Sequence, residues 1–236
     1  MRRYLRDLLI VLMGILKRDI RGRVIYYHDL SRNYTKQGTP MALFKAQMMA
    51  LKEAGFRIVG CLPEQRNEVM VCFDDGWRGI WDERDYLIEN QIIPTVFIVN
   101  DFIGKEGYLT LEEILELQQH GFRFHGHTYS HKSLTEVSGE VLYHEMVEAR
   151  EDLSKLLHKN VDELCFPRGK YSDDLVKMAG ENGYDKVYIC APGCYAPNDV
   201  IIHRNLVQDA SPKVFKSVLW GGMDFLARHA EKIHHL

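Results

Sequence analysis

Residues 69–77 read VMVCFDDGW, a short apolar run followed by two acidic residues and a glycine. The apolar run ends at Phe73 and predicts a buried strand of a parallel sheet. Asp74 and Asp75 then lie at the carboxyl end of that strand, which is where barrel enzymes place their catalytic side chains. Gly76 permits a tight turn at this point. The stretch indicates a functional carboxylate pair, although an ordinary Asp-Asp-Gly turn has the same composition.

Similar apolar runs alternate with helical patterns along the rest of the chain, which is typical of parallel strands joined by crossover helices. Predicted strands lie at 24–27, 69–73, 94–99, 122–125, 164–165, 186–190 and 200–203, and predicted helices at 41–54, 81–89, 110–120, 141–158, 173–182 and 212–236. No segment of linker composition divides this series. We therefore predict one α/β domain over residues 24–236, a single distorted (β/α) barrel of about seven parallel strands.

The bulk composition limits the classes of function. The chain has 236 residues, 46% of them hydrophobic, and a formal net charge of −3. A nucleic-acid-binding protein usually carries a strong basic excess, so no nucleic-acid partner is predicted. The five cysteines are odd in number, and their spacings match neither a zinc knuckle nor a redox CxxC motif. A reducing, cytoplasmic location is the simplest interpretation.

The N-terminal segment, residues 1–23, differs from the rest of the chain. Seven basic residues surround an apolar stretch at 8–16, and five leucines fall on one helical face: Leu5, Leu8, Leu9, Leu12 and Leu16. The stretch is too short to span a bilayer. A basic amphipathic helix of this kind can make peripheral contact with an anionic membrane surface, and it can equally pack on the outside of the barrel. An uncleaved signal anchor is a third alternative, because no small-residue cleavage motif follows the apolar stretch.

A second group of polar residues follows the predicted strand at 122–125. His127 and His131 are four residues apart, a spacing that lets two imidazoles reach one metal ion. With 11 histidines in the chain, such a pair also arises by chance. Two histidines and one aspartate would form a three-ligand site with open positions, which is a catalytic pattern, since a structural site needs a fourth ligand. His125, two residues earlier, is interpreted as an ordinary strand residue.

Two further segments end predicted strands. Arg168 lies in the sequence FPRGK, and Arg204 follows His203 after the last strand. An arginine buried at the end of a barrel strand can hold a carboxylate ionised by a charge-assisted hydrogen bond. The alternatives are an ordinary βα turn for the first segment and a surface arginine for the second.

The order of these motifs resembles the polysaccharide deacetylases, also called NodB-homology or carbohydrate esterase family 4 proteins. The resemblance runs from about residue 24 to residue 207. It rests on the following segments: YYHD at 26–29, FDDG at 73–76, PTVF at 94–97, GHTYSH at 126–131 and PRG at 167–169. Each motif alone is unspecific, but their order at successive strand ends is specific.

This resemblance implies an activity and a set of roles. The expected reaction is hydrolysis of N-acetyl groups on a saccharide, either a cell-surface polysaccharide or its oligosaccharide precursor, so the expected partner is an N-acetylated glycan. By position, Asp74 matches the general base. Asp75, His127 and His131 match the ligands of one divalent metal ion. Zinc is the default for two histidines and one carboxylate, and cobalt, nickel and iron(II) also suit this set.

The chain departs from the family pattern in the third motif. Cys165 stands where many relatives carry an arginine, and Arg168 stands where they carry a tyrosine. One branch of the family supplies its arginine from the last strand instead, so the resemblance makes Arg204 the expected partner of Asp74. The tyrosine position offers its backbone N–H to the oxyanion, which Arg168 can also do.

The family's late Leu-x-Ile-His motif, which supplies the general acid, is not evident in this sequence. His203 and His28 are the substitutes that the sequence offers. The absence of the late motif supports one alternative function, that of a saccharide-binding relative without catalysis. A hydrolase of a small non-sugar amide is a second alternative, because a barrel does not fix the substrate.

Overall fold

Seven parallel strands close into a barrel in the computed structural model, which describes residues 2–196 and 198–235. The strands of the closed ring are β1 (Arg23–Tyr27), β3 (Glu68–Phe73), β4 (Thr95–Ile98), β5 (Arg123–Gly126), β6 (Glu163–Cys165), β7 (Lys186–Ile189) and β8 (Ile201–Leu206). Strand β1 pairs with β3 on one side and with β8 on the other, which completes the ring. The predicted distorted barrel is therefore confirmed.

A short eighth strand, β2 (Arg57–Val59), was not predicted. It pairs with the first half of β3, where Arg57 faces Glu68, whereas β4 pairs with the second half, where Cys72 faces Thr95. Two strands thus share one edge of β3. Strand β2 has only three residues and none is fully buried, so it lacks the apolar run that marks the other strands.

Helices connect the strands on the outside of the barrel. They are α1 (Arg2–Lys17), α2 (Met41–Glu53), α3 (Gly79–Asp82), α4 (Arg84–Glu89), α5 (Leu111–Gln119), α6 (Gly139–Tyr143), α7 (Ala149–Leu157), α8 (Asp173–Glu181), α9 (Pro212–Leu219) and α10 (Ala227–His234). The predicted capping box of α5 is present, with Thr110 and Glu113 each bonding the other's backbone N–H. A π-helical segment, His144–Glu148, joins α6 to α7.

One predicted helix is wrong. Residues 212–236 were expected to form a single closing helix, but α9 ends at Leu219 and α10 begins at Ala227. Gly221 lies between them in the left-handed region, at φ 81°. Such a conformation suits glycine and stops a right-handed helix. The break lets α10 turn back toward the carboxyl ends of the barrel strands, where His234 lines a cavity.

The barrel interior is a small core of its own. Its apolar part is built from inward-facing side chains of alternate strand positions: Val24, Tyr26, Met70, Cys72, Phe97, Cys165, Tyr188 and Ile202. A larger apolar cluster fills the space between strands and helices. Because successive residues of a strand point to opposite sides, Asp74 and Arg204 continue the inward rows at the carboxyl ends of β3 and β8. The polar ends of these rows form the site described below.

Helix α1 lies on the outside of the barrel against α9. Ile10 is buried, and Gly14 approaches Ser217 so closely that a Cβ at position 14 would stand 2.6 Å from the Ser217 backbone oxygen. This packing agrees with one of the two main alternatives for residues 1–23, a helix that packs on the outside of the barrel. Among the described residues, no helix has both the length and the apolar character needed to cross a bilayer.

Candidate catalytic and metal site

A cavity of about 660 Å³ opens at the carboxyl ends of the strands. It brings together seven of the eight residues singled out from the sequence: His28, Asp74, Asp75, His127, His131, Arg168 and Arg204. These residues come from five different strands or strand-end loops. The cavity also includes His234 of α10, which the sequence did not identify. A site of this kind, at the carboxyl face of a barrel, is where enzymes with this architecture carry out their chemistry.

Asp74 and Arg204 form a buried ion pair across strand β1. The Arg204 guanidinium donates two hydrogen bonds to the carboxylate, at 2.5 and 2.9 Å. The side chain of Arg204 is fully buried, and Asp74 is almost so. Burial would lower the pKa of Arg204, but the facing carboxylate outweighs it and holds that pKa well above its ordinary value. The geometry keeps the Asp74 carboxylate in one orientation beside the cavity.

Cys165 explains how an arginine from the last strand fits here. Its Sγ lies 2.9 Å from Nη2 of Arg204 and 4.0 Å from Oδ2 of Asp74. The guanidinium also packs over the Tyr26 ring, 4.2 Å from the ring centroid. A long side chain at position 165 would compete for this space. The small thiol and the Arg204 side chain are therefore complementary.

Asp75, His127 and His131 converge on one point. Both Nε2 atoms of the histidines lie 3.4 Å from Oδ1 of Asp75. His127 makes a 2.7 Å hydrogen bond through Nδ1 to the Cys165 carbonyl, which fixes the tautomer and leaves Nε2 free. Trp77 donates to the other oxygen of Asp75, at 3.1 Å. Oδ1 of Asp75 is buried and has no hydrogen-bond partner. This donor set of two imidazoles and one carboxylate fits a divalent metal ion.

The pKa shifts of Asp75 and His131 agree with that donor set. Burial would raise the pKa of Asp75, but the neighbouring imidazoles, His127 first, outweigh burial and lower that pKa below its ordinary value. Burial and the charge of His127 lower the pKa of His131 to about 4. Asp75 is thus an ionised carboxylate at neutral pH, and His131 is a neutral imidazole with a free lone pair. Both are the forms that bind metal.

Several residues of the site have an uncommon backbone conformation. Asp75, Thr128, His131 and Arg168 all have positive φ angles, between 59° and 71°. Few residues other than glycine adopt this region, and such strain concentrates at functional sites. Four of the eight non-glycine residues with positive φ in the described chain lie in three of the loops that form the cavity. Side-chain patterns do not reveal this feature from sequence.

Glu145 supports the loop that carries His131, and the sequence analysis missed it. Its fully buried carboxylate accepts hydrogen bonds from the backbone N–H and the hydroxyl of Ser130, and it meets Lys132 Nζ at 3.2 Å. Burial would raise its pKa, but the Ser130 bonds and Lys132 outweigh burial and lower it. Glu145 sits in the π-helical segment, where π-bulges often mark functional positions. An acidic residue on the apolar face of the predicted helix was the available signal.

We expect Glu145→Gln to weaken metal binding about tenfold or more while the fold persists, since residues that orient ligands act on this scale. The amide cannot accept both Ser130 bonds, so the loop with His131 loosens. Isothermal titration of metal into the metal-free protein measures the change. Glu148→Gln, one helical turn on and half exposed, is the matched control and should bind as the parent does. An unchanged dissociation constant for Glu145→Gln would remove this supporting role.

The structure places the two histidines predicted as general acids, His28 and His203, in different surroundings. His28 lines the cavity, and its Nδ1 bonds Oε1 of Gln208 at 2.7 Å. His203 is not among the residues that line it, so its expected place in the site is corrected. Because Arg204 points into the barrel, the preceding residue on β8 points outward. There His203 meets Glu231 at 3.3 Å.

The family model described as polysaccharide deacetylase matches residues 62–187, which is more than half of the chain. The chain belongs to the polysaccharide deacetylase family. Among curated proteins, YxkH of Bacillus subtilis (strain 168), named as a polysaccharide deacetylase, is 25% identical over 181 residues. That match covers 72% of this chain and 64% of YxkH, so the chain spans less than two thirds of this relative's length.

Three solved structures share the barrel fold of this chain. The Bacillus cereus polysaccharide deacetylase BC0361 superposes with a TM-score of 0.73 at 21% identity, over 85% of this chain and 69% of that chain. The Streptococcus pyogenes deacetylase PplD gives 0.73 at 22% identity, over 85% and 99% of the two chains. IcaB from Ammonifex degensii gives 0.75 at 19% identity, over 86% and 97%. At these identities the likeness is one of fold.

Proposed function

We propose that this protein is a metal-dependent hydrolase that removes N-acetyl groups from an N-acetylated saccharide. One observation carries the proposal. A three-ligand donor set, Asp75 with His127 and His131, stands beside a second carboxylate, Asp74, that is held in place by Arg204 at the same cavity. Membership of the polysaccharide deacetylase family supports the reaction and the substrate class.

Asp74 is the general base in this proposal. Its two oxygens are oriented by the guanidinium of Arg204, so its free lone pairs face the cavity and can take a proton from an attacking water. Arg204 acts through Asp74 and is a positioning residue. Asp75, His127 and His131 would hold the metal ion. Such an ion supplies Lewis-acid polarisation of the acetamide oxygen and lowers the pKa of water.

Arg168 is proposed to bind the developing oxyanion through its backbone N–H. The residue lies in the turn Pro167–Gly169 and lines the cavity. Its φ of 59° turns the local peptide away from the helical path. A donor of this kind typically lowers the activation barrier by roughly 3–4 kcal/mol. The role needs only the main chain, so it tolerates an arginine where relatives have a tyrosine.

His28 is the proposed general acid. The Gln208 carbonyl oxygen accepts the Nδ1 proton of His28, which leaves Nε2 available for the proton delivered to the leaving amine. His28 follows β1, the strand that lies between Asp74 and Arg204 in the ring. His234, on the same cavity, is the second candidate.

The function is tested by measuring acetate release from a panel of N-acetylated oligosaccharides. We expect activity that is lost with a chelator and restored by a divalent metal, with zinc, cobalt, nickel and iron(II) compared. His127→Ala should abolish stoichiometric metal binding, because two ligands do not retain a metal well. His144→Ala changes a partly exposed histidine and is the control. Unchanged metal content in His127→Ala would contradict the ligand assignment, and absence of acetate release from every substrate would contradict the activity.

A further inference from the structure

Helix α1 is held firmly in one orientation. Besides the contact of Gly14 with Ser217, the guanidinium of Arg3 bonds the Asp209 backbone oxygen at 3.0 Å. At the other end, Arg18 packs over the Trp220 ring at 4.9 Å. Helix α1 therefore cannot rotate about its axis to bury its opposite side. The outward side of α1 is a fixed feature of the surface.

That outward side is apolar. Seven large hydrophobic side chains on α1 are between 42% and 73% exposed: Tyr4, Leu5, Leu8, Leu9, Leu12, Ile15 and Leu16. They make up half of the exposed large hydrophobic side chains of the described residues, on one helix of 16 residues. Soluble monomers rarely expose a contiguous apolar patch of this kind unless it binds something. We call these seven side chains the leucine face.

The positive charge around the leucine face indicates which kind of partner binds to it. Residues 1–18, which include α1, carry five basic residues and one acidic residue, an excess of four positive charges in a chain with a net charge of −3. A second copy of this chain would bring the same positive charge to the contact. An anionic lipid surface would meet the leucine face with acyl chains and the flanking cations with headgroups.

The first half of α1 adjoins the catalytic cavity on the side of the helix that faces the barrel. Arg3 and Arg6 line a groove that includes Leu206, Gln208 and Met223, and these three residues also line the catalytic cavity. The groove and the cavity therefore adjoin each other at the carboxyl end of β8. The N-terminal end of α1 lies at the mouth of the site, so whatever α1 rests on is brought to that mouth.

We propose that α1 docks this protein on an anionic lipid surface and that its substrate is an N-acetylated saccharide attached to a lipid, presented at the mouth of the cavity from that surface. The docking rests on the leucine face and its charges alone, whereas the substrate class rests on the proposed deacetylase function. A lipid-attached sugar would reach the cavity along the groove lined by Arg3 and Arg6.

Docking is tested with vesicles and the full chain. We expect the protein to float with phosphatidylcholine vesicles that contain a quarter phosphatidylglycerol. Its partitioning to these vesicles should be at least about tenfold stronger than to phosphatidylcholine alone, and 0.5 M salt should weaken this partitioning. Leu8→Gln with Leu12→Gln should lower partitioning at least about tenfold, because two exposed leucines no longer enter the acyl region. Met49→Gln with Val141→Gln removes two exposed apolar side chains elsewhere and should change nothing.

Two outcomes would overturn docking. One is equal or absent partitioning of the parent protein to both kinds of vesicle. The other is a stable dimer in light scattering that Leu8→Gln with Leu12→Gln dissociates, without lipid binding by the parent. Thermal unfolding confirms that each variant is folded, which is expected because both leucines are exposed.

The substrate class is tested by comparing one N-acetylated saccharide free in solution and attached to a lipid in anionic vesicles. We expect faster hydrolysis of the vesicle-borne substrate, and we expect the Leu8→Gln, Leu12→Gln variant to lose that advantage while its rate on the free saccharide is unchanged. Equal rates for both forms would overturn the substrate class. Absence of hydrolysis of both forms would overturn the deacetylase function and the substrate class with it, while the flotation result would still decide docking.

Discussion

Asp74→Asn is expected to lower acetate release at least about a hundredfold while the metal stays bound. The amide is nearly the same size but cannot accept a proton, and general-base catalysis typically accelerates a reaction 10²–10⁴-fold. The three proposed ligands, Asp75 with His127 and His131, are unchanged. Turnover of the best substrate and metal content by plasma mass spectrometry measure the two effects on the same sample.

The control for this variant is Asp85→Asn on α4, whose carboxylate is 83% exposed and far from the cavity lining. It should retain full activity. If Asp74→Asn kept more than about a tenth of the parent rate, a general base at this position would be excluded, because that loss is below the range of general-base catalysis. If it lost the metal as well, Asp74 would belong to the ligand set.

Arg204→Met is expected to lower the free energy of unfolding by about 3–5 kcal/mol, because it leaves the Asp74 carboxylate buried without its cation. Arg204 is fully buried and Asp74 is almost so, and solvent therefore screens the remaining charge only weakly. Urea denaturation at neutral pH measures the loss. Activity should also fall, because the Asp74 carboxylate is no longer held in one orientation beside the cavity.

The double variant Asp74→Asn, Arg204→Met separates charge from packing. With no buried charge left, most of the lost stability should return, while activity stays absent. A double variant as unstable as Arg204→Met alone would mean that packing against Tyr26 and Cys165, and not the charge, causes the loss. Arg168→Ala retains the backbone N–H and should reduce activity less than Arg204→Met.

The sequence predicted the proposed catalytic and metal-binding residues better than the residues that hold them in place. Asp74 and Asp75 follow an apolar strand directly, and His127 follows the next strand but one, so local pattern is sufficient to place them at one end of a parallel barrel. The pairing of Arg204 with Asp74 followed from a resemblance, since Cys165 occupies the usual arginine position. Barrel closure then places β8 next to β1, within reach of β3.

Other features depend on tertiary structure that no local pattern contains. His203 was a poor candidate for the general acid once Arg204 was assigned inward, because adjacent strand residues point to opposite sides. His234 reaches the cavity only because the chain turns at Gly221 and α10 folds back. Glu145 is 15 residues from the serine that it holds, on a helix whose π-helical turn could not be read from periodicity.

The Asp74–Arg204 pair joins positions 130 residues apart in the chain, one on the third strand and one on the last. During synthesis the ribosome releases β8 only after every other strand has emerged. Until then Asp74 lacks the cation that orients it, so the nascent chain carries the metal-binding motifs without an assembled base. Hydrolytic competence would thus arise as a late, all-or-none event that coincides with ring closure. In a refolding experiment, the recovery of turnover would time the closing of the barrel itself.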